Sequence, residues 1–88
     1  MKKQEIIDTV NAVIARKAGI DAGEIKPDDF CDKFDIDSMM SIEAVVEIEE
    51  EFVISISGSD LLSVSTMQDF YDLVGRMIVD THGFKLFD

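Results

Sequence analysis

The stretch Asp37-Ser38-Met39-Met40-Ser41-Ile42-Glu43-Ala44-Val45-Val46-Glu47-Ile48-Glu49-Glu50-Glu51-Phe52 decides the fold. Met39, Ile42, Val45, Val46, Ile48 and Phe52 recur at three- and four-residue spacings, which is the period of one helix face. Met40, Glu43, Glu47, Glu50 and Glu51 fall on the other side. The pattern predicts a helix over 38–52, with Met39 opening a broad stripe expected to turn into the core. Asp37 or Ser38 is placed to cap it, a contribution of about 1 kcal/mol.

Toward the N-terminus, Ile6, Ile7, Val10, Val13, Ile14 and Ala18 keep the same period, which predicts a first helix over 3–18 with Gly19 as its C-cap. Periodicity is lost over 19–37, where Gly23, Pro27 and Asp28-Asp29 interrupt the chain and Ile20, Ile25, Phe30 and Phe34 stand as isolated apolar anchors. A long ordered loop is expected there, with room for a short helical turn. Beyond Phe52, the alternation in Val53-Ile54-Ser55-Ile56-Ser57 imitates a strand, but a lone strand leaves its backbone unpaired, so an extended connector is expected. Ser57 or Ser59 can cap a short helix over about 58–63.

Ser65 with Gln68 fits a capping box, and Met67, Phe70, Tyr71, Val74, Met77 and Ile78 carry a last helix over 66–80. Gly75 inside it costs about 1 kcal/mol relative to alanine, so close packing against it is expected. His82 is expected to complement the C-terminal end of that helix. Residues 81–88 form a tail that either folds back on the bundle or meets a partner. The predicted fold class is all-α, a single domain over 1–88 made of three main helices and one short one.

Of the 88 residues, 19 are Asp or Glu and 8 are Lys or Arg, and the excess is concentrated. Residues 31–60 hold one lysine against nine acids. Such a field repels nucleic-acid phosphates and anionic membranes but attracts basic protein surfaces. No run reaches the roughly 18 apolar residues of a membrane span, so a cytoplasmic protein is expected. One cysteine, Cys31, and one histidine, His82, exclude an internal disulfide and a structural zinc site. Cys31 reads as an apolar filler.

Ser38 admits three chemical readings. A nucleophile needs a base and an oxyanion hole, yet His82 is the only histidine and no G-x-S-x-G elbow surrounds the serine. A calcium loop over 32–43 fails because Phe34 and Ile36 stand at ligand positions and Asp37 stands where the turn needs glycine. A serine opening a helix is also well placed to carry a phosphate ester, since free N–H groups and the positive end of the helix dipole favour the anion.

Together these residues resemble the acyl carrier protein family from Phe30 to Val74. The motif is Asp37-Ser38-Met39, preceded by Phe30 and followed by the acidic helix ending Glu49-Glu50-Glu51-Phe52, by Ile54 and by the Ser65-Thr66 opening of the last helix. The resemblance implies a non-catalytic carrier. A phosphopantetheinyl transferase would attach 4'-phosphopantetheine to Ser38, Asp37 would help position the metal ion used in that transfer, and the arm would hold acyl groups as thioesters. Met39, Met40, Glu43, Glu47, Glu50 and Glu51 would form the docking face for acyl-loading, condensing and acyl-transfer enzymes with basic patches. The carrier itself would be a monomer. The chain departs from the family's pattern in having Lys33-Phe34-Asp35 where Asp-Leu-Gly is common and Met40 where an acid is usual, which suits a specialised lipid, polyketide or amino-acyl carrier at least as well as one of fatty-acid synthesis. The other open reading is an acidic helical interaction module with this fold and no prosthetic group. In either case the apolar side chains between helices two and four could part to admit an acyl chain.

Overall fold

The computed structural model describes residues 1–34 and 36–88; Asp35, expected in the loop before the second helix, lies outside the described residues. Four α-helices follow one another: α1 Lys3–Ala18, α2 Ser38–Phe52, α3 Gly58–Leu61 and α4 Met67–His82. Among the described residues there are two isolated β-bridges and no strand. The segment after Phe52 is the extended connector that a partnerless strand has to become.

The core is built mostly from α1 and α4. Val10, Val74 and Ile78 are fully buried, and Ile6, Val13, Ile14, Phe70, Tyr71 and Leu73 pack with them. Among the described residues Asn11 is the one buried polar residue, and it accepts a hydrogen bond from the Tyr71 hydroxyl across the two helices. That pairing removes the 1–3 kcal/mol order of penalty that an unpartnered buried amide would carry. Burial raises the Tyr71 pKa, an effect that the bond to Asn11 partly opposes.

Local chemistry sets the helix ends. Gly19 and Gly83, both at φ 71°, close α1 and α4 in the left-handed conformation that glycine adopts without cost. The capping box of α4 sits one residue later than the sequence pattern suggests: Thr66, not Ser65, accepts from Asp69 N–H, and the Asp69 carboxylate accepts from Thr66 and Ser65 N–H. Aspartate, whose shorter side chain reaches back as well as glutamine does, was the signal to use. Ser57 and Asp60 form a second capping box on α3, which ends at Leu61 because only four residues hold helical hydrogen bonds.

The loop between α1 and α2 contains two 3-10 turns, Ala22–Glu24 and Cys31–Phe34. Its backbone is sewn onto the start of α4: Met67 N–H donates to Asp29 O at 2.9 Å, Gln68 N–H to Pro27 O at 2.8 Å, and Cys31 N–H to Ser65 O at 2.9 Å. Ile25 and Phe34 are buried as expected, but Phe30 is exposed. Phe30 is anchored instead by its backbone, through a bridge to Thr66, and Cys31 takes the half-buried position beside it.

The tail folds back. Lys3 N–H donates to Phe87 O and Phe87 N–H to Met1 O, and Leu86 lies over Gly75. A Cβ on Gly75 would stand 2.9 Å from Leu86 Cδ1, which explains a glycine in mid-helix. His82 lies in the last turn of α4, as expected, and also reaches the end of α2, because its Nε2 lies 2.9 Å from both Phe52 O and Val53 O, and its ring stacks on Phe84.

Candidate functional site

Ser38 is the first residue of α2 and is exposed. Two features of Asp37 put it there. The aspartate backbone is extended, at φ −71° and ψ 172°, so the helix cannot begin earlier, and its Oδ1 accepts from Met40 N–H at 2.8 Å. Its carbonyl then accepts the first helical bond, from Ser41 N–H at 2.9 Å. Of the two residues that could cap, Asp37 does so, which leaves the Ser38 hydroxyl without an intramolecular hydrogen bond among the described residues. The N–H groups of Ser38 and Met39 are likewise free of partners there, at the positive end of the α2 dipole.

This arrangement suits a phosphodiester. The hydroxyl projects from an exposed backbone position with no side-chain obligation, and unpaired N–H groups lie next to it to receive an anion. Asp37 spends one carboxylate oxygen on its cap, so only Oδ2 is open, a hard oxygen donor of the kind divalent cations take. Among the described residues no cluster of three or more potential metal ligands occurs.

The stripe expected to enter the core divides in two. Ala44 and Ile48 are buried, and Val45 and Phe52 are half-buried, but Met39, Ile42 and Val46 are 70%, 65% and 42% exposed. The cause is geometric: the sequence stripe is wider than one contact face, and the four-residue α3 is too short to cover the rest. The prediction that Met39 is core is therefore wrong, while its place beside Ser38 on the outer surface stands.

The acidic side of α2 is also altered by its neighbour. Lys17 Nζ lies 3.3 Å from Glu43 Oε2 and 3.2 Å from Glu47 Oε1, and Arg16 pairs with Glu47 as well. The Lys17 ammonium, through its hydrogen bond, holds the Glu47 pKa below the ordinary carboxylate value, and Glu47 in turn raises that of Lys17. Glu50, Glu51 and Met40 remain exposed. Glu49 is half-buried and accepts from Ile56 N–H at 2.7 Å, which ties the connector to α2.

One turn from Ser38, Ser41 stands at the edge of an apolar cavity of about 350 Å³ between α2 and α4. Ile14, Val45, Leu61, Met67 and Phe70 line it. Cys31 lines it too, and burial raises its thiol pKa, so this cysteine is a weak nucleophile and an apolar wall.

The phosphopantetheine attachment site family matches residues 8–74, a span that contains Ser38, the cavity walls and the first half of α4. The chain belongs to the acyl carrier protein family. Similar proteins include the acyl carrier protein of Chlorobium phaeovibrioides, 33% identical over 84% of this chain and 96% of the relative. That of Thermosynechococcus vestitus is 28% identical over 89% and 98%. The polyketide-8 synthase acyl carrier protein 2 of Streptomyces avermitilis is 28% identical over 84% and 86%. The chain is accordingly an acyl carrier whose prosthetic group is 4'-phosphopantetheine, and such a role entails contact with synthase enzymes. No helix among the described residues is long and apolar enough to cross a membrane.

Proposed function

We propose that Ser38 is the attachment residue and that the whole chain, 1–88, works as one carrier domain. The observation that carries this is the division of labour at the start of α2. Asp37 caps, so the neighbouring serine is exposed and, among the described residues, unbonded and flanked by free N–H groups. When bound, the prosthetic group supplies a flexible arm ending in a thiol that holds an acyl group as an activated thioester. The chain's own residues fix where that arm starts. The rigid cap keeps the Ser38 Oγ at one place and direction, and Asp37 Oδ2 is left to help hold the cation used when the phosphate is transferred. A tether of this kind raises the effective concentration of cargo at each visited active site. Catalysis is the partners' task, and the chain supplies no acid or base for it.

The cavity between α2 and α4 gives an acyl chain an apolar refuge within reach of Ser38, and its lining by Leu61, Val45 and Met67 allows side chains to part at the cost of no more than the weak bond from Cys31 Sγ to Met67 Sδ at 3.9 Å. Partner enzymes meet the exposed face of α2, where Met39, Met40, Glu50 and Glu51 are accessible and Glu43 and Glu47 are shared with α1. The pathway we favour is a specialised lipid or polyketide one in the cytoplasm, since Met40 and the partly neutralised glutamates leave less free charge beside the serine than the sequence suggests. The carrier would act as a monomer, kept apart from other copies by a net charge of −11.

Incubation with coenzyme A and a broad-specificity phosphopantetheinyl transferase, followed by intact mass spectrometry, tests the assignment. Wild type should gain the mass of one 4'-phosphopantetheine and Ser38→Ala none. A wild type that gains nothing, or a Ser38→Ala chain that gains the same mass, would refute it. The interaction-module alternative predicts the first of these outcomes.

A further inference from the structure

The cavity between α2 and α4 has a soft side and a hard end. On α2 it is lined by Ser41, Ala44 and Val45, and Ile48, one turn past Ala44 on the same face, is fully buried beyond it. On α4 the lining runs from Met67 to Phe70, and Val74, one turn further, is fully buried in the same way. Among the described residues the cavity therefore follows about one turn of each helix, about 6 Å along the axis. Its space comes from the small side chains of Ser41 and Ala44 set against the flexible Met67. It ends at Phe70, the largest side chain in the lining, which is 5% exposed and belongs to the same buried cluster as Ile48 and Val74. A cavity of about 150 Å³ takes one six-carbon ring, so one of about 350 Å³ takes roughly a dozen carbon-sized atoms.

We propose that Phe70 determines cargo specificity: its ring closes the inner end of the cavity, so the carrier shelters acyl chains of medium length, about 8 to 12 carbons, and leaves the remainder of a longer chain outside. The proposal rests on Ser38 being the attachment residue and on this cavity being the refuge of the cargo. A longer chain gains nothing by pushing the ring inward, because Ile48 and Val74 leave a close-packed core no room to receive it. Leu61 is the softer wall. It belongs to α3, which buries none of its residues, and it also lines the neighbouring groove of about 280 Å³. A chain that outgrows the cavity leaves on that side, where Ile42 and Val46 are exposed and burial is incomplete. Protection of the thioester therefore grows with chain length only until the cavity is full.

The test loads the chain with a broad-specificity phosphopantetheinyl transferase and butanoyl-, octanoyl-, dodecanoyl- or hexadecanoyl-coenzyme A. Cleavage of each thioester by hydroxylamine is then followed by intact mass, relative to the same acyl-coenzyme A free in solution. In wild type, protection should rise at least about tenfold from butanoyl to octanoyl, since each buried methylene sustains up to about fourfold. From dodecanoyl to hexadecanoyl it should change by less than about twofold. Phe70→Leu, which keeps the site apolar and shortens the side chain, should raise hexadecanoyl protection about fivefold or more and leave butanoyl within about twofold. Ala44→Val, which narrows the cavity from α2, should lower octanoyl protection. Continued growth of protection from dodecanoyl to hexadecanoyl in wild type would overturn the proposal without recourse to any variant, and so would a folded Phe70→Leu chain that protects hexadecanoyl no better than wild type. A wild type that gains no mass would overturn the attachment reading, and a loaded wild type that protects no chain would overturn the refuge; either removes this proposal as well, whereas protection without a plateau removes only the stop at Phe70.

Discussion

The α1–α4 half of the molecule and the α2–α3 half are built to different standards. α4 has seven buried residues, a capping box, a loop stitched to its first turn and a tail strapped over Gly75. α2, almost as long, has two buried residues, and α3 has none. Apolar content does not explain the contrast, since α2 carries as many large aliphatic side chains; what differs is how many of them find a neighbour. The closed half supplies the folding free energy. The open half keeps apolar surface and an exposed serine available, at a cost in stability that the closed half offsets.

The sharpest way to break this contrast is to truncate one isoleucine in each half. Ile78→Ala, at a fully buried site in α4, should lower stability by about 2–5 kcal/mol. Ile42→Ala, the same chemical change on α2, should stay within about 0.5 kcal/mol. Chemical denaturation of both variants checks it. Equal losses would mean that the α2 stripe is covered in solution and that the two halves do not differ.

A smaller effect is expected where the halves join. Val53 ends α2 at φ 54° and ψ 57°, a left-handed conformation that a β-branched residue adopts only under constraint. The constraint is visible: Val53 N–H donates to Glu49 O, Ile54 N–H donates to the same carbonyl, and His82 reaches the Phe52 and Val53 carbonyls. Val53→Gly should therefore stabilise the fold by about 1 kcal/mol, seen as a raised Tm. A lower Tm would show that the side chain, though exposed, contributes packing that outweighs the strain.

Least in size is the response to acid. Backbone N–H groups of Thr66 and Ser65 depress the Asp69 pKa, the Ser57 N–H depresses that of Asp60, and the Lys26 N–H and Lys33 ammonium depress that of Asp29. A carboxylate with a lowered folded pKa stabilises the fold above its ordinary value near 4, and that contribution is lost as pH falls through the lowered one. Stability should be flat from neutral pH to about 5 and fall below about 4, with Asp69→Asn flattening the lower part of the profile. An acid transition of the same steepness in Asp69→Asn would remove the α4 cap from the account.

Most of this fold was legible because its helices obey one period. Ile6, Val10 and Ile14, and Phe70, Val74 and Ile78, repeat cleanly, and the spans expected from them differ from the observed ones by one or two residues at α4 and not at all at α1. Ser38 was legible too, because Asp37 before it and the stripe after it fix a helix start there. What the sequence hid depends on partners distant in the chain. The pattern at Met39, Ile42 and Val46 is the same whether a neighbour covers them or not, and only the shortness of α3 decides. Likewise Glu43 and Glu47 read as a free acidic face until α1 brings Lys17 and Arg16 from 26 to 31 residues away. The contact of His82 with the end of α2 was hidden for the same reason, Phe52 and Val53 being about 30 residues earlier.

The central claim is that one hydroxyl, held bare by the cap beside it, receives the prosthetic group. Tandem mass spectrometry of a digest of the loaded chain addresses it most directly, since the hydroxyls of Ser38 and Ser41 lie one turn apart and separate by fragment ions. The account predicts the phosphopantetheine on Ser38 alone. Modification of Ser41, or of any serine outside the first turn of α2, would contradict it.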